Sequence, residues 1–305
     1  MDFVFLLVRQ NLLMLCYLTV GYFLYRKKLI TVQGSADLGR MLLYVVMPMA
    51  IIKSYLTEIT PEKLVGLGAS ALTAALSLGL AILLSRLLLP VECDIERFGA
   101  AFSNAGFIGI PLVQMTLGEK AVFYVAAFVA FLNILQWTYG VVLLSGDKTA
   151  ISMRKLLTNP ILLSFAAGLL CFGFSVHLPK ILQSFVGSMA GMSGPLAMIV
   201  LGGYLAQTEL KKLFTEALTY KAAAIRLLVI PIATVLLLWP FAARFREICL
   251  AVLIAAAAPI GSNVAIFAQL YEKDYTRAVR QVCFSTLAGI ATMPVIIAIA
   301  MAVYG

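Results

Sequence analysis

Apolar runs of about 20 residues follow one another along almost the whole chain, and this repetition limits the fold more than any other feature. A membrane-spanning helix needs about 20 predominantly apolar residues. Of the 305 residues, 62% are hydrophobic and 12% are charged, whereas a soluble domain carries about 25% charged residues. The available charge is too small to cover a water-soluble globule. The sequence therefore predicts an all-α polytopic membrane protein in the lipid bilayer of the plasma or inner membrane, without a soluble domain.

The apolar runs predict ten transmembrane helices. Their predicted bounds are 3–25, 36–57, 63–89, 97–117, 119–144, 156–176, 181–206, 218–240, 245–270 and 277–304. The first run is interpreted as a retained helix and not as a signal peptide, because Asp2 precedes it and Arg26 follows it. The most polar stretch separates the fifth run from the sixth. We therefore divide the chain into a first five-helix repeat (1–144), a connecting loop (145–155) and a second five-helix repeat (156–305).

The net charge of +9 comes from basic residues in short clusters between the apolar runs. Such clusters indicate membrane topology and not nucleic-acid binding, because cytoplasmic loops are enriched in Lys and Arg. The odd-numbered loops and adjoining helix ends carry 16 of the 23 basic residues, among them Lys211, Lys212 and Arg226. These loops, including 145–155, are therefore predicted to be cytoplasmic, with both termini outside. Five helices per half then give the two halves opposite orientations.

Two segments place proline, glycine and asparagine inside predicted spans. They are FSNAGFIGIPLVQ, from Phe102 to Gln114, and AAPIGSNVAIFAQ, from Ala257 to Gln269. Proline removes a backbone donor, and glycine costs about 1 kcal/mol relative to alanine in a helix. In lipid, the freed backbone groups must find partners in protein or in a water-lined cavity. One such segment in each half favours two discontinuous helices around a polar site, which is typical of secondary transporters.

The residue types of these segments suit an anionic substrate. Helix N-termini carry unpaired amides and about half a positive charge, and breaks near Pro111 and Pro259 would aim two such ends at one ligand. Asn104 and Asn263 add donors that stay neutral. The alternative is that the prolines and glycines only kink and pack helices. The predicted substrate-binding residues are Ser103, Asn104, Gly106, Gly109, Pro111, Gln114, Asn133, Gln136, Pro259, Gly261, Ser262 and Asn263.

These segments also resemble a known family. The fourth-helix signature of the auxin efflux carrier family is similar to FSNAGFIGIPLVQMTLGEKAVFY, and the last two helices of that family are similar to the region that holds Ala258, Pro259, Asn263, Tyr271, Ser285, Thr286 and Pro294. The resemblance covers essentially the whole chain. This chain lacks the long cytoplasmic loop of the long plant PIN carriers, so it resembles a compact, prokaryotic-type member.

The resemblance implies a fold like that of PIN-type auxin carriers, bile-acid symporters and sodium/proton antiporters. In that fold a five-plus-five inverted repeat has broken helices 4 and 9, which cross inside a transport domain that moves against a scaffold domain. The resemblance also implies export of small organic anions, such as indole-3-acetate or malate- and malonate-type acids. It further suggests a homodimer.

The acidic residues bear on the driving force. Proton or sodium coupling usually places Asp or Glu at membrane depth, but every acid here, including Glu96, is predicted at a loop or a helix end. We therefore expect potential-driven export, with no cofactor and no metal. A sodium- or proton-coupled symporter or antiporter of the same fold is the main alternative, followed by a channel or receptor. An intramembrane enzyme is not indicated, because HExxH and paired intramembrane aspartates are absent and His177, the only histidine, lies at a loop.

Overall fold

A computed structural model describes residues 2–207 and 216–305 of the chain. The predicted cytoplasmic residues Lys211 and Lys212 lie outside these ranges. In the first half the helices are α1 (Asp2–Arg26), α2 (Val32–Met41), α3 (Met47–Tyr55), α4 (Pro61–Leu88), α5 (Asp94–Ala101), α6 (Ile110–Leu117), α7 (Glu119–Leu135) and α8 (Val141–Ser145). In the second half they are α9 (Met153–Leu157), α10 (Pro160–Gly173), α11 (Lys180–Gly191), α12 (Ser193–Ala206), α13 (Ala217–Ala224), α14 (Ile230–Ala257), α15 (Asn263–Leu270) and α16 (Tyr275–Tyr304).

Many of these helices join into long apolar stretches. Within the described ranges, six stretches are long and apolar enough to cross a membrane, namely Val32–Tyr55, Pro61–Leu88, Glu119–Ser145, Lys180–Ala206, Ala217–Ala257 and Tyr275–Tyr304. A seventh candidate is the pair Lys148–Leu157 and Pro160–Gly173, which is bent by 50°. Two shorter apolar helices are Leu12–Arg26 and Ala105–Leu117. The chain is thus an all-helical, multi-pass membrane protein.

The stretch Ala217–Ala257 differs from the sequence prediction, which placed a loop between residues 240 and 245. It contains 41 residues, which at 1.5 Å per residue is about 60 Å, or twice the hydrocarbon core of a bilayer. Phe245 interrupts it with non-helical angles (φ −127°, ψ 44°). A kink therefore replaces the predicted loop, with Arg244 and Arg246 on either side of it.

Three π-helical turns each precede a proline by two residues. They are Leu42–Val46 before Pro48, Ala105–Gly109 before Pro111, and Ile225–Val229 before Pro231. In each, the residue just before the proline donates its amide five residues back, to Leu42, Ala105 or Ile225. Proline has no amide hydrogen and its ring crowds the preceding turn. A widened turn accommodates the ring without ending the helix.

The helices pack in two groups. In one group α1 lies along α12, and α3 packs against α10 and α11. In the other group α14 packs against α4, α7 and α16, and α5 packs against α4 and α13. The groups meet where α3 contacts α7 and where α12 contacts the turn Ala105–Gly109.

Glycines set the spacing between α1 and α12. A Cβ added at Gly202 would lie 1.9 Å from the carbonyl oxygen of Leu18, and one added at Gly21 would lie 2.0 Å from that of Ile199. Backbone therefore meets backbone at both positions, as is common where membrane helices pack through small residues.

The connection between the halves contains a short turn at Lys148–Ala150. Asp147 caps it, because its carboxylate accepts hydrogen bonds from the hydroxyl and the backbone amide of Thr149. The hydroxyl bond, followed by the amide bond, lowers the pKa of Asp147 below its usual value. The connection is thus a structured turn and not an extended linker.

Candidate functional site

The two predicted breaks meet inside the helical bundle. Ser103 and Ile260 form an isolated antiparallel β-bridge. The amide of Asn104 donates to the carbonyl oxygen of Pro259 at 2.7 Å, and the amide of Gly261 donates to that of Phe102 at 3.0 Å. Each break thus provides partners for the other, which satisfies buried backbone groups that neither helix can satisfy alone.

The first break lies elsewhere than predicted. The sequence placed it near Pro111, but α5 ends at Ala101 and helical structure resumes at Ala105, before the proline is reached. Pro111 lies in the first turn of α6, where the preceding π turn accommodates it. The second break does contain its proline, because α14 ends at Ala257 and α15 begins at Asn263.

Two helix N-termini start at this crossing. The helix Ala105–Leu117 begins after Asn104, and α15 begins after Ser262. The first amides of a helix have no partner within it and carry partial positive charge. Neither Asn104 nor Ser262 caps its helix with a side-chain hydrogen bond. The N-terminal amides at both ends therefore have no side-chain cap from these residues.

A small cavity of about 30 Å³ lies beside the two N-termini. Its lining brings together seven of the predicted site residues, namely Ser103, Asn104, Gly106, Asn133, Gly261, Ser262 and Asn263. Leu43, Met47 and Ile161 complete it from the other helix group. Ligand pockets usually measure about 300–1,000 Å³, so this cavity is much smaller than a typical ligand pocket.

Two buried polar atoms at this cavity have no hydrogen-bond partner within the described ranges 2–207 and 216–305. They are the Oγ of Ser103, a residue 2% exposed, and the Nδ2 of Asn104, a residue 4% exposed. An unpaired buried polar group costs about 1–3 kcal/mol. Such a cost at a cavity lined by helix N-termini favours a ligand that would accept these hydrogen bonds.

Behind the cavity lies a network of side-chain amides. Asn263 donates through Nδ2 to the Oε1 of Gln136 at 2.7 Å. Asn133 donates to the carbonyl oxygen of Val129 at 2.8 Å and accepts from the Nδ2 of Asn159 at 3.2 Å. Gln136 is fully buried and does not line the cavity, so it supports Asn263. Asn159 was not predicted, although its position before Pro160, where its side chain caps α10, is a recognisable helix start.

The remaining predicted residues contact neighbouring helices. The Oε1 of Gln114 accepts from the hydroxyl of Ser193 in α12 at 3.0 Å. Pro111 lies near Gly194 of the same helix, and Gly109 lies against Ala255 of α14. Pro259 packs against Gly289 of α16. These residues are positioned for helix packing around the crossing and not for lining the cavity.

Ser285 of α16 joins its own helix to the second break. Its hydroxyl donates to the carbonyl oxygen of Val282 in its own helix at 3.1 Å. It also accepts the amide of Ile260, at 3.1 Å. A side chain of α16 thereby holds the second break in place.

Arg226 is the functional candidate that sequence reasoning missed. It was predicted at a cytoplasmic helix end, but it is 1% exposed. Its Nη1 donates to Ala100 and Ala101 at 3.0 and 3.3 Å, and its Nε donates to Ala258 at 3.2 Å. The available signal was its position eight residues inside the predicted span 218–240. Removing it from the topology count leaves 15 basic residues on the odd loops against 7 elsewhere, so the predicted orientation is unchanged.

Glu96 lies at a helix end, as predicted, but its side chain is buried. Its side chain is 1% exposed in the first turn of α5. It accepts from the Nε of Arg277 and from the Nε2 of Gln281, each at 2.6 Å. Nearby, Asp94 pairs with Lys273 at 2.6 Å, and Arg280 pairs with Glu216. These pairs place the start of α5, residue Glu216 and the start of α16 with its preceding turn at one end of the bundle.

The helical architecture and the enclosed polar crossing define a multi-pass membrane protein with an internal polar site. The model of the family described as "Membrane transport protein" matches residues 7–153 and 148–297. The chain therefore belongs to this membrane transport protein family, the auxin efflux carrier family that its fourth-helix segment resembles.

One curated relative extends the comparison. A protein of Rhizobium meliloti (strain 1021), described as "Putative malonate transporter", is 27% identical over 211 residues, which cover 66% of this chain and 65% of that protein. The chain thus spans just under two thirds of the length of this relative.

Proposed function

We propose that this protein carries small organic anions across the membrane and binds a carboxylate at the crossing of its two broken helices. The observation that carries the proposal is the pair of unpartnered buried atoms, Ser103 Oγ and Asn104 Nδ2, at a cavity where two helix N-termini converge. N-terminal amides and neutral side-chain donors can together replace the hydration of a carboxylate.

The proposed substrates are carboxylates such as malate- or malonate-type acids or auxin-like acids. Malonate is the first acid to test, because it appears in the description of the Rhizobium relative. The cavity lining supplies amides and hydroxyls but no charged side chain. A single carboxylate facing the helix ends is the group that this lining suits best.

The proposed mechanism is alternating access of the elevator type. The helix group that contains α1, α3, α10 and α12 would be the scaffold, and the group that contains the crossing would be the moving transport domain. In support, the cavity lies between the groups, with Met47 and Ile161 on one side and Asn104 on the other. Its small volume suits an occluded state in which neither side is open.

The proposed topology is a five-plus-five inverted repeat of ten spans, with residues 1–144 and 156–305 as the repeats. One helix break falls in each half. Both termini would face outside and the connection 145–155 would face the cytoplasm. A homodimer through the scaffold helices belongs to the same proposal.

The proposed driving force is the membrane potential. No residue of the cavity lining is acidic, and the buried carboxylate of Glu96 is paired with Arg277. Moving one negative charge out of an inside-negative cell releases about 2.3 kcal/mol per 100 mV. Sodium or proton coupling is the alternative, because backbone carbonyls at the breaks can also hold a cation.

Proteoliposomes test both parts of the proposal. Vesicles are loaded with labelled malonate, and a potassium gradient with valinomycin sets an inside-negative potential. We expect saturable malonate exchange and potential-dependent efflux without an imposed sodium or pH gradient. An absolute requirement for either gradient would favour the coupled alternative. If neither malonate nor a panel of related carboxylates exchanges, organic-anion transport is wrong.

A further inference from the structure

Each broken helix consists of a segment before its break and a segment after it. The N-termini of the two segments after the breaks face the cavity. The C-terminal carbonyl groups of the two segments before the breaks converge on Arg226. Both α5 and α14 end there, since the guanidinium bonds Ala100 and Ala101 from one helix and Ala258 just beyond the other. One buried side chain thus binds both C-terminal ends.

The charges at these ends can be counted. A helix C-terminus carries about half a negative charge and an N-terminus about half a positive charge. The two C-terminal ends together carry about one negative charge, which the single charge of Arg226 offsets. The two N-terminal ends leave about one positive charge at a cavity whose lining has no charged residue.

The C-terminus of α5 lies close to the N-terminus of the helix that follows the break, so the negative charge at one end affects the potential at the other. Only Phe102, Ser103 and Asn104 separate the end of α5 from the helix that begins at Ala105. Four steps of extended chain span at most about 14 Å. Without a counter-charge, the C-terminal carbonyl groups would cancel much of the positive potential at the cavity, because interactions between buried charges are weakly screened.

We propose that Arg226 is a positioning residue that gives the crossing its preference for a carboxylate by offsetting the charge of the two helix C-termini. The proposal rests on the organic-anion function proposed above and assigns a residue to its specificity. Arg226 is not a substrate ligand here, because its bonded nitrogen atoms are directed at carbonyl oxygens and it is not part of the cavity lining. The crossing therefore complements one carboxylate.

The choice of arginine follows from this geometry. A guanidinium presents five donors in a rigid, planar fork, and it stays charged when buried. It can therefore reach carbonyl groups of two helices at once. A lysine would keep the charge but would bond fewer of these carbonyl groups.

Arg97 provides a matched control. It is also buried, and it also bonds carbonyl oxygens at a helix end, namely those of Leu89 at 2.7 Å and Arg86 at 3.1 Å. These carbonyl groups belong to the end of α4 and not to the ends of α5 and α14 that Arg226 bonds. Arg97→Gln therefore removes a buried charge and a comparable set of hydrogen bonds. It leaves the charge balance at the helix ends of the crossing unchanged.

The test compares ligands of similar size and different charge. Binding of monomethyl malonate, which has one carboxylate, and of neutral malonamide is measured by calorimetry on the purified full chain at pH 8. Arg226→Gln should weaken monomethyl malonate binding roughly tenfold or more, on the scale of a helix-terminus interaction in a buried setting, and should change malonamide binding less than about threefold. Arg97→Gln should lower the melting temperature and keep the ratio of the two affinities. Arg226→Lys should restore most of the carboxylate preference.

A second neutral variant guards against loss of folding. Arg226→His keeps a ring donor for a carbonyl group, and a buried imidazole is uncharged at pH 8. It should lose the carboxylate preference as Arg226→Gln does. Either neutral variant, if folded with the wild-type affinity ratio, overturns the role of Arg226 while leaving the transport proposal intact. A wild-type protein that binds no carboxylate at all contradicts the proposed function itself, and the inference with it.

Discussion

The amide of Asn104 donates to the carbonyl oxygen of Pro259 at 2.7 Å, although the two residues are 155 positions apart in the sequence (259 − 104 = 155). This bond and its neighbour from Gly261 to Phe102 make the two breaks a single unit. Each break therefore contributes to the stability of the other. Backbone pairing positions the helix ends beside the cavity, and among the described residues it leaves Ser103 Oγ and Asn104 Nδ2 without a hydrogen-bond partner.

Replacement of Asn104 by alanine should separate binding from stability. Its Nδ2 has no hydrogen-bond partner among the residues that the structure describes, so Asn104→Ala should change the melting temperature by only about 1–2 °C, since few interactions are lost. Malonate affinity should fall by about tenfold or more, because a hydrogen bond to a charged group contributes about 1.5–3 kcal/mol. Calorimetry and thermal unfolding of the same sample measure the two quantities.

Gln207→Ala is the control for Asn104→Ala. It removes a side-chain amide that, within the described part of the chain, bonds its own helix at Gly203, outside the cavity. Both affinity and transport should stay at the wild-type level. If Asn104→Ala also retained the wild-type affinity, Asn104 would not belong to the substrate site.

The glycines of the crossing should respond differently to alanine. A Cβ on Gly261 would lie 3.0 Å from the carbonyl oxygen of Ser103, within the paired breaks, whereas one on Gly106 would meet only the Met47 side chain at 3.6 Å. Gly261→Ala should therefore lower the melting temperature by several degrees and reduce transport. Gly106→Ala should fold normally and reduce only substrate affinity, because it narrows the cavity.

Gly79→Ala is the matched control for both glycine variants, because no atom lies within 4 Å of a Cβ there. It should keep wild-type stability and transport. Equal stability of Gly261→Ala and Gly79→Ala would show that the paired breaks tolerate a side chain and that this account of the crossing is wrong.

The bond between Asn263 and Gln136 should couple α15 to the turn that directly follows α7. Asn263→Ala leaves the fully buried Oε1 of Gln136 without its partner at 2.7 Å, which should cost about 1–3 kcal/mol of stability. In the double variant with Gln136→Leu, part of that cost should disappear, giving a coupling energy of about 1 kcal/mol. Denaturant or thermal unfolding of the four proteins measures this coupling, and strictly additive effects would contradict the pairing.

The contact between α1 and α12 should depend on Gly202. A Cβ there would lie 1.9 Å from the carbonyl oxygen of Leu18, so Gly202→Ala must push two backbones apart. We expect a strong loss of folded protein in membranes, measured by fluorescence-detected size exclusion. Gly191→Ala, where a Cβ meets nothing within 4 Å, should express like the wild type. Equal yields of the two variants would mean that α1 and α12 do not pack this closely.

Several features could be predicted because they depend on local composition. Several of the long apolar runs correspond to the six stretches that are long enough to cross a membrane, and the Pro–Gly–Asn segments mark both breaks. The membrane transport family, too, was identified from the residues of the fourth helix. These signals are local because every backbone group in lipid must be satisfied within its own segment or next to a compensating partner.

Other features could not be predicted from local signals. The first break lies at Phe102–Asn104 because pairing with the second break holds it there, while a π turn accommodates Pro111. Seven of the twelve predicted site residues line the cavity, whereas Gln114 and Gln136 bond neighbouring helices instead. Arg226 was counted with the loop charges, since nothing near it in the sequence shows that carbonyl oxygens at the end of α5 and just beyond the far end of α14 surround it.

The sequence by itself determined that the chain is helical, crosses the membrane many times and carries one costly break in each half. These are consequences of hydropathy and of the chemistry of proline and glycine, which act within a few residues. The tertiary structure alone decided which helix ends meet, which polar atoms stay unpaired and which charge offsets them. Those relationships join Asn104 to Pro259 and Arg226 to Ala100, and they depend on distances in space between residues that are far apart in the chain.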